Sequence, residues 1–403
     1  MIHVALLGFG VVGSGTAEVL TQNKAIIEKK VGQEVNIKYI LDLRDFPDSP
    51  FADRIVHDFN IIANDPEVSV VAEMMGGSHP AYDFTLACLK AGKSVVTSNK
   101  EVVANFGTEL LAVAKENGVS YLFEASVGGG IPIIRPLRED LASNNVTAIS
   151  GILNGTTNYI LTKMDAEGAS FADVLKDAQR LGYAEANPAA DVEGLDAARK
   201  IVILAAMSFG KRINPNAILC EGITKITTAD SELAKEMGYA IKLIGYTTKV
   251  DGKILCMVSP RLVSRLNPIH GVSDVNNGIL VTADMVGQVM FYGPGAGKLP
   301  TASAVTGDLV DVMAHTPAGI ISPVWVDATP DEIADPEDYV CRHLVVLDAP
   351  LTAETAIASH FALNAVHFTE GRFSFITDEM SEAEVKAKIA AVGYPPVTRI
   401  RVL

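Results

Sequence analysis

The sequence predicts an α/β protein whose first part is a doubly wound parallel sheet. Short apolar runs that fit buried strands alternate with helical patterns between residues 3 and 123. A glycine-rich turn joins the first run to the first helix. At roughly 100–200 residues per domain, the chain of 403 residues is long enough to continue into further domains.

Composition excludes several classes of protein. Apolar residues make up 48% and charged residues 20% of the chain, which is typical of a folded globular protein. The formal net charge of -15 and the lack of a long basic stretch argue against a nucleic-acid partner. Apolar stretches such as residues 201–207 are much shorter than the roughly 18–20 residues of a membrane span. Four scattered cysteines, with no signal-peptide pattern at the N-terminus, favour a reduced cytoplasmic protein.

The turn after the first strand predicts a dinucleotide site. Its sequence is Gly8-Phe9-Gly10-Val11-Val12-Gly13. We expect Gly8 to make the tight turn, Gly10 to admit a pyrophosphate and Gly13 to let the helix pack on the strand. The phosphates would lie at the positive N-terminus of that helix. A purely structural glycine turn is the alternative.

The residues after the second strand bear on the type of cofactor. Asp42 follows the strand at residues 35–41, and an acid there holds the adenosine ribose of NAD. Arg44 could instead bind the 2′-phosphate of NADP. The two signals conflict, so the sequence predicts NAD(P) without choosing between them, and solvated loop charges remain the alternative for both.

Polar and glycine residues follow the later strands of the predicted sheet. Gly76, Ser98, Lys100 and Glu124 each come at or just after the end of a strand. Since the carboxyl ends of parallel strands meet at one rim, where ligands bind, we expect these residues to face the cofactor.

Two glycine-containing segments come next. Residues 124–132 hold three consecutive glycines, whose amides could form an anion site or whose carbonyls could hold a hard cation. Residues 151–161 contain the turn signal Asn154-Gly155, and Thr156 can start a helix.

The segment at residues 182–200 carries most of the chemistry. Its loop is crowded with acids, namely Glu185, Asp191 and Glu193. Asp196 and Lys200 are spaced i,i+4 and therefore share a helix face. An exposed pair of this kind contributes only about 0.3–0.5 kcal/mol. However, the helix beyond Lys200 is apolar nearly all round, so it is buried and these charges need partners or a cavity.

The rest of the chain divides into a mixed region and a compact tail. Residues 135–292 mix helices and strands, and residues 241–246 read as the end of a helix running into a strand. A helix is predicted at residues 301–314, then a segment rich in prolines and acids. The tail has the ferredoxin-like order βαββαβ, with strands at 339–346, 365–368, 372–376 and 397–402 and helices at 352–363 and 381–392.

These motifs, in this order, resemble homoserine dehydrogenase with a C-terminal ACT-like domain. The matching parts are the glycine turn, Glu73 with Gly76-Gly77, and residues 98–100, 124–132, 151–159, 182–200 and 293–302. The resemblance covers roughly residues 1–325 and implies three domains. These are a Rossmann-type NAD(P)-binding domain (1–133 plus about 298–320), an α+β catalytic and dimerisation domain (134–297), and, after a linker (321–337), an ACT-like regulatory domain (338–403).

The family interconverts L-aspartate 4-semialdehyde and L-homoserine with NAD(P)H, in the biosynthesis of threonine, methionine and isoleucine. The resemblance implies that Lys200 is the acid/base, with Lys100 and Asp196 beside it. It implies substrate-binding roles for Glu185, Asp191, Tyr183, Lys100, Asn154 and Thr156. Cofactor-binding residues would be Gly8, Phe9, Gly10, Val11, Val12, Gly13, Arg44, Gly76, Ser98, Lys100 and Gly297. Glu185 would bind the substrate ammonium, and Gly297 would contact the cofactor through its backbone.

The resemblance also implies a monovalent cation, usually sodium, and a homodimer or homotetramer. The cation ligands would be Glu124 and the carbonyls of Val127, Gly129 and Ile131. The ACT-like domain implies a threonine effector, although the loop at residues 347–351 lacks the usual glycine, and a dimerisation module is the alternative. Competing functions are another Rossmann oxidoreductase of amino or hydroxy acids and a non-enzymatic amino-acid sensor.

Overall fold

The first sheet of the protein is parallel, as predicted. A computed structural model describes residues 1–315, 322–369 and 371–403. The six strands of the first sheet are β1 (Ile2–Leu7), β2 (Val35–Leu41), β3 (Ile55–Val56), β4 (Val68–Glu73), β5 (Ser94–Thr97) and β6 (Tyr121–Leu122). Their order is β3-β2-β1-β4-β5-β6. Successive strands are added on one side of β1 up to β3 and on its other side from β4 onwards, so a crevice for a ligand opens between β1 and β4.

Helices follow the strands of the first sheet. They are α1 (Val11–Gln22), α2 (Lys24–Val31), α3 (Phe59–Ala63), α4 (Ala81–Lys90) and α5 (Lys100–Glu116). Because helices cover both faces of such a sheet, its central strands are apolar throughout. Val4, Ala5, Leu6 and Leu7 of β1 are completely buried.

The middle of the chain builds most of a second, mixed sheet. Its helices are α6 (Ile134–Arg138), α7 (Gly155–Glu167), α8 (Phe171–Arg180), α9 (Ala189–Val192), α10 (Leu195–Phe209) and α11 (Thr228–Glu236). Its strands are β7 (Val146–Ile152), β8 (Lys211–Arg212), β9 (Leu219–Cys220), β10 (Tyr239–Val250), β11 (Lys253–Ser264), β12 (Asn276–Ala283) and β13 (Gly287–Pro294). Helix α10 packs on β10 and β11, and ten of its 15 residues are buried, which confirms the predicted buried helix.

Helix α12 (Lys298–His315) returns to the first sheet. Its residues Val305, Leu309 and Val312 share a buried cluster with Val4 and Leu6 of β1. Residues 316–320 of the predicted nucleotide-binding segment, and residue 321 of the predicted linker, lie outside the described residues.

The chain after residue 321 is packed against the rest of the molecule. Trp325 is only 4% exposed, and its ring lies 5.2 Å from that of Phe123. The remaining elements are β14 (Val326–Asp327), β15 (Val340–Cys341), β16 (His343–Asp348), α13 (Glu354–Ala358), β17 (Asn364–Thr369), β18 (Arg372–Ile376), β19 (Met380–Ser381), α14 (Glu382–Val392) and β20 (Pro396–Val402). We call residues 339–403 the C-terminal unit.

The C-terminal unit extends the second sheet. Its strands lie antiparallel in the order β20-β16-β18-β17. Strand β20 also pairs in parallel with β11, where Arg261 faces Arg401 and Leu262 faces Val402. One sheet therefore runs without interruption from β13 to β17.

Two local predictions are wrong. Residues 241–246 contain no helix end, because the whole of β10 pairs residue by residue with β11. The helix expected at residues 352–363 is helical only at Glu354–Ala358, after a short 3-10 turn. The chain then turns so that the buried ring of Phe361 lies 5.0 Å from the ring of Phe375, and this packing replaces further helical turns. In the ranges that the structure describes, no helix has the length and apolar character needed to cross a membrane.

Candidate active site

The glycine turn leaves backbone open at the carboxyl rim of the first sheet. A Cβ on Gly13 would lie 2.0 Å from the carbonyl oxygen of Gly8, so any side chain there would push α1 away from β1. Gly8 itself has a φ of 93°. Gly10 has nothing within 4 Å of its Cβ position, and Val11, the first residue of α1, is 67% exposed. This geometry suits close approach of a phosphate to the N-terminus of α1.

Asp42 and Arg44 form one charged pair beside this turn. The Asp42 carboxylate accepts hydrogen bonds from the amide of Phe9 at 2.8 Å and from Nε of Arg44 at 3.0 Å. The Arg44 side chain, by these hydrogen bonds, lowers the pKa of Asp42 to about 2. The pair lines a cleft of about 480 Å³ that also includes Gly10 and Gly76. Asp42, which favours NAD, and Arg44, which favours NADP, thus lie side by side in the same cleft.

A buried acid organises the neighbouring rim. Glu73, at the end of β4, is completely buried and accepts hydrogen bonds from the Thr97 hydroxyl at 2.6 Å and the Met75 amide at 2.7 Å. Burial raises the pKa of Glu73 despite these bonds. The amide of Ser98 donates to the Glu73 carbonyl oxygen at 3.3 Å. Sequence reasoning assigned Glu73 no role, although an acid directly at a strand end was a usable signal.

Asn99 connects this rim to Lys100. Its side-chain amide donates to the Gly77 carbonyl at 2.8 Å, and its side-chain oxygen accepts from the Val102 amide at 3.2 Å. Asn99 therefore caps α5, whose first residue is Lys100. Asn at a helix start is a known capping signal that sequence reasoning did not use here.

Lys100, Asp196 and Lys200 meet in what we call the lysine–aspartate centre. Nζ of Lys200 lies 2.7 Å from Oδ2 of Asp196, and Nζ of Lys100 lies 2.9 Å from Oδ1. Lys200 also donates to the carbonyl oxygen of Leu153 at 2.7 Å. Lys200 is 8% and Asp196 is 5% exposed, whereas the Lys100 side chain is 40% exposed. One carboxylate thus bridges two ammonium groups, with Lys100 on the solvent side.

The three charges affect one another unequally. Burial lowers the pKa of Lys200, and although Asp196 opposes this, Lys100 adds to it. Burial acts to raise the pKa of Asp196, but the two lysines outweigh it and hold that pKa well below its usual range. Burial also acts to lower the pKa of Lys100, but Asp196 outweighs it and the pKa is raised. Of the two lysines, Lys200 is therefore the one that gives up its proton more readily, which suits an acid/base.

Asn154 and Asp191 complete this centre. The Asn154 amide donates to Oδ1 of Asp191 at 2.7 Å and to Oδ2 of Asp196 at 3.0 Å. Its oxygen accepts from the Thr157 amide at 2.9 Å, so Asn154 also caps α7. Burial raises the pKa of Asp191. The i,i+4 spacing of Asp196 and Lys200 therefore predicts only two members of a group of five. The other three are Lys100, Asn154 and Asp191.

The other predicted substrate residues lie further out. The Thr156 hydroxyl donates to the Tyr183 carbonyl at 2.6 Å, and the Tyr183 ring lies 5.1 Å from that of Tyr159. Glu185 is exposed, and its carboxylate has no hydrogen-bond or ion-pair partner within the described part of the chain. The structure therefore does not join Glu185 to the lysine–aspartate centre, and its carboxylate is left available to a ligand.

The glycine segment after β6 packs against the loop that precedes α12. A Cβ on Gly129 would lie 2.5 Å from the backbone of Gly295, two residues before Gly297. The Glu124 carboxylate accepts from the amides of Ile133, Ile134 and Arg135 at 2.6–2.8 Å. It is therefore engaged at the start of α6 rather than free for a cation.

Three buried carbonyl groups in the same segment are differently placed. Those of Val127, Gly129 and Ile131 accept no hydrogen bond from any residue that the structure describes. Within the same ranges, no three His, Cys, Asp or Glu side chains cluster as a metal site. Any cation held here would thus be bound by carbonyl oxygens, which suits a hard ion.

Comparison with known proteins identifies the family. A family model described as homoserine dehydrogenase matches residues 132–310, and one described as the NAD binding domain of homoserine dehydrogenase matches residues 8–124. The chain is 44% identical to a homoserine dehydrogenase of Neisseria gonorrhoeae over 314 residues, 77% of this chain and 72% of that protein. It is 35% identical to one of Corynebacterium glutamicum over 416 residues, 99% of this chain and 94% of that protein.

Solved structures agree with this. A homoserine dehydrogenase from Thiobacillus denitrificans superposes with a TM-score of 0.91 at 36% identity, covering 100% of this chain and 98% of that one. A hyperthermophilic archaeal homoserine dehydrogenase in complex with NADPH superposes with a TM-score of 0.68 at 29% identity, over 78% of this chain and 98% of that one. Together with the nucleotide turn and the buried lysine–aspartate centre, these matches show that the chain belongs to the homoserine dehydrogenase family of oxidoreductases.

Proposed function

We propose that the lysine–aspartate centre carries out the NAD(P)H-dependent interconversion of L-aspartate 4-semialdehyde and L-homoserine. The observation that carries this proposal is the buried Lys200, held by Asp196 and facing a second ammonium on Lys100. The dinucleotide, when bound, supplies or accepts the hydride. Reduction of an aldehyde builds negative charge on its oxygen, and a fixed ammonium there stabilises the transition state.

In this proposal, Lys200 moves the proton and its neighbours position it. The Lys200 ammonium gives a proton to the aldehyde oxygen during reduction, and the neutral amine takes the hydroxyl proton during oxidation. Asp196 and the Leu153 carbonyl fix the position of Nζ. Lys100, the more exposed lysine of this centre, orients substrate and nicotinamide.

The remaining predicted residues bind the substrate ammonium or hold the loops around the substrate. Glu185 has a free carboxylate and binds the substrate ammonium, while Asp191, at the lysine–aspartate centre, and Tyr183 also contact the substrate. Asn154 and Thr156 hold the surrounding loops through their hydrogen bonds to Asp191 and Tyr183.

The lowered pKa of Lys200 predicts opposite pH dependence in the two directions. Reduction needs the protonated lysine, so its rate falls as pH rises through the pKa of Lys200. Oxidation needs the neutral amine, so its rate rises over the same range. Because burial lowers this pKa, both changes come at a lower pH than for an exposed lysine. Rate profiles in both directions check this, and a shared profile would contradict it.

Arg44 is expected to favour NADPH. Its guanidinium is 64% exposed on the cofactor cleft and can pair with a 2′-phosphate. Since a hydrogen bond to a charged group contributes about 1.5–3 kcal/mol, we predict that Arg44→Ala raises the KM for NADPH about tenfold. The KM for NADH should stay within about twofold, because no phosphate contact is lost. Equal changes with both cofactors would show that Arg44 does not read the 2′-phosphate.

A monovalent cation, usually sodium in this family, is supported by the carbonyls of Val127, Gly129 and Ile131. The carboxylate of Glu124, the fourth ligand that the resemblance implies, also accepts three amide hydrogen bonds at the start of α6. The cation would tie the nucleotide-binding region to the catalytic region at the Gly129–Gly295 contact. Activity measured with sodium, potassium and a large organic cation tests this ion dependence.

The direct test is an assay of the purified protein. NADPH or NADH consumption is followed with L-aspartate 4-semialdehyde, and the reverse reaction with L-homoserine. We expect turnover that depends on the semialdehyde. Absence of turnover with both cofactors would overturn the proposed reaction and favour a sensor.

We also propose that the C-terminal unit is an ACT-like regulatory domain and that the enzyme is a homodimer or homotetramer. Support comes from its βαββαβ order and its β20-β16-β18-β17 arrangement, which is ferredoxin-like. The proposed boundaries are residues 1–133 with about 298–320, 134–297, a linker at 321–337, and 338–403. Adding threonine to the assay tests the effector role.

A further inference from the structure

A short segment, residues 219–223, links the C-terminal unit to residues 182–194, which include the short helix α9 and which we call the substrate loop. We call residues 219–223 the bracing segment. We propose that Glu221 in this segment, held by Arg401, is a positioning residue for the substrate-binding loop around Asp191. This inference rests on the proposed role of Asp191 at the substrate. It adds a residue outside the site and a route by which the C-terminal unit influences substrate affinity.

The bracing segment is in direct contact with the end of α9 and with the residues that join α9 to α10. The amide of Ile223 donates to the carbonyl oxygen of Val192 at 2.8 Å, and the Cys220 thiol donates to the carbonyl of Glu193 at 3.2 Å. A Cβ on Gly222 would lie 2.2 Å from the Val192 carbonyl oxygen. Because no side chain fits between Gly222 and Val192, a displacement of Gly222 also displaces Val192, the residue next to Asp191.

This loop also sets the start of α10. Gly194 precedes the helix with a φ of 85°, and a Cβ there would lie 3.1 Å from the Cys220 sulfur. Helix α10 then carries Asp196 and Lys200. The bracing segment therefore packs against both ends of the loop that leads from Asp191 into the lysine–aspartate centre.

The other side of the bracing segment is held by two anchors. The Glu221 amide donates to the Val258 carbonyl of β11 at 2.8 Å. Its carboxylate accepts hydrogen bonds from Nη1 and Nη2 of Arg401, at 2.5 and 3.4 Å. Arg401 is 3% exposed and also donates from Nε to Glu382 of α14 at 3.0 Å. Such a fork-shaped, charge-assisted contact fixes geometry as well as distance.

The consequence is a physical connection from α14 to the substrate loop. Glu382 and Arg401 belong to the C-terminal unit, Glu221 to the bracing segment, and Asp191 to the loop. A shift of α14 or β20 moves Arg401, and with it Glu221 and the Gly222–Val192 contact. Lys200 is held in addition by the Leu153 carbonyl, and Lys100 lies on α5, so substrate affinity is affected more than the proton transfer.

The test is Glu221→Gln, which keeps the shape of the side chain and removes its charge. The side chain is 40% exposed, so the variant is expected to fold. We expect the KM for L-homoserine to rise about fivefold, the lower end of typical coupling between sites. The kcat should stay within about twofold, because the binding energy that is lost is common to the ground and transition states. The KM for NADP should also stay within about twofold, because no contact with the cofactor is changed. Glu384→Gln, which removes an exposed ion pair with Lys388 in the C-terminal unit, is the matched control. It should leave kcat and both KM values unchanged.

A double-mutant cycle separates positioning from loss of folding. If Glu221 and Arg401 act as one device, adding Arg401→Gln to Glu221→Gln raises the substrate KM no further than Arg401→Gln alone. An unchanged substrate KM in Glu221→Gln, or an equal rise in the KM for NADP, would overturn the inference. Failure of the proposed function is distinct, because the wild-type protein would then show no turnover.

Discussion

Replacing Lys200 by methionine is expected to reduce kcat for homoserine oxidation by about 10²–10⁴, the range typical of a lost general acid or base. Methionine has nearly the same length but has no proton to exchange. It also removes the ammonium that stabilises the developing oxyanion. The Kd for NADPH, followed by cofactor fluorescence, should be unchanged, because Lys200 lies on α10 and contacts Asp196 and Leu153 rather than the glycine turn.

The matched control for this variant is Lys176→Met. The Lys176 side chain is 77% exposed, and its ion pair with Asp173 is long, at 3.8 Å. This variant should retain wild-type kcat. If Lys200→Met remains active, Lys200 is not the acid/base. If it loses both activity and NADPH binding, the loss reflects unfolding, and thermal unfolding of the variant distinguishes the two.

Asp196→Asn is expected to have the second largest effect. Without the carboxylate, the ammonium groups of Lys200 and Lys100 face each other with their shared counter-ion removed. The pKa of Lys200 then falls further, since Asp196 opposes the lowering caused by burial. The pH at which the reductive rate declines should move to lower values, together with a large fall in kcat at neutral pH. A pH profile identical to that of the wild type would contradict this account.

The same substitution should also change stability. Removing one member of a buried ion pair costs about 3–5 kcal/mol, although solvent screening reduces the share due to the exposed Lys100. The pKa of Asp196 is lowered in the folded protein, so its contribution is complete above the unfolded pKa of about 3.9. It is lost as pH falls through the folded pKa. Urea unfolding should therefore show a large difference between variant and wild type at pH 7 that narrows below about pH 4.

Local patterns in the sequence predict contacts that a single element determines. The i,i+4 spacing of Asp196 and Lys200 is sufficient because the helix itself brings the two side chains together. Lys100 joins them only because α5 of the first sheet packs against α10, and no local pattern contains that information. The position of Lys100 beside Asp196 and Lys200 is implied by the family resemblance alone.

Contacts between distant segments are also what sequence reasoning missed. Glu221 had no visible partner because Arg401 comes from the other end of the chain. A single glycine such as Gly222 gives no sign that Val192 lies against it. The helix predicted at residues 352–363 is too long for a related reason, because the attraction of Phe361 to Phe375 across the C-terminal unit outweighs the local periodicity.

The pairing of β20 with β11 has a consequence for biosynthesis. On the ribosome, β11 is made long before β20, so the catalytic part of the second sheet must wait with an unpaired edge at Arg261 and Leu262. Such edges recruit strands from other molecules, and newly made chains at this stage are prone to aggregate. Strand β20 therefore covers this edge of β11 and protects the newly made protein from aggregation. Truncation before residue 339 removes this protection together with any regulatory role, so solubility must be measured beside activity in such a variant.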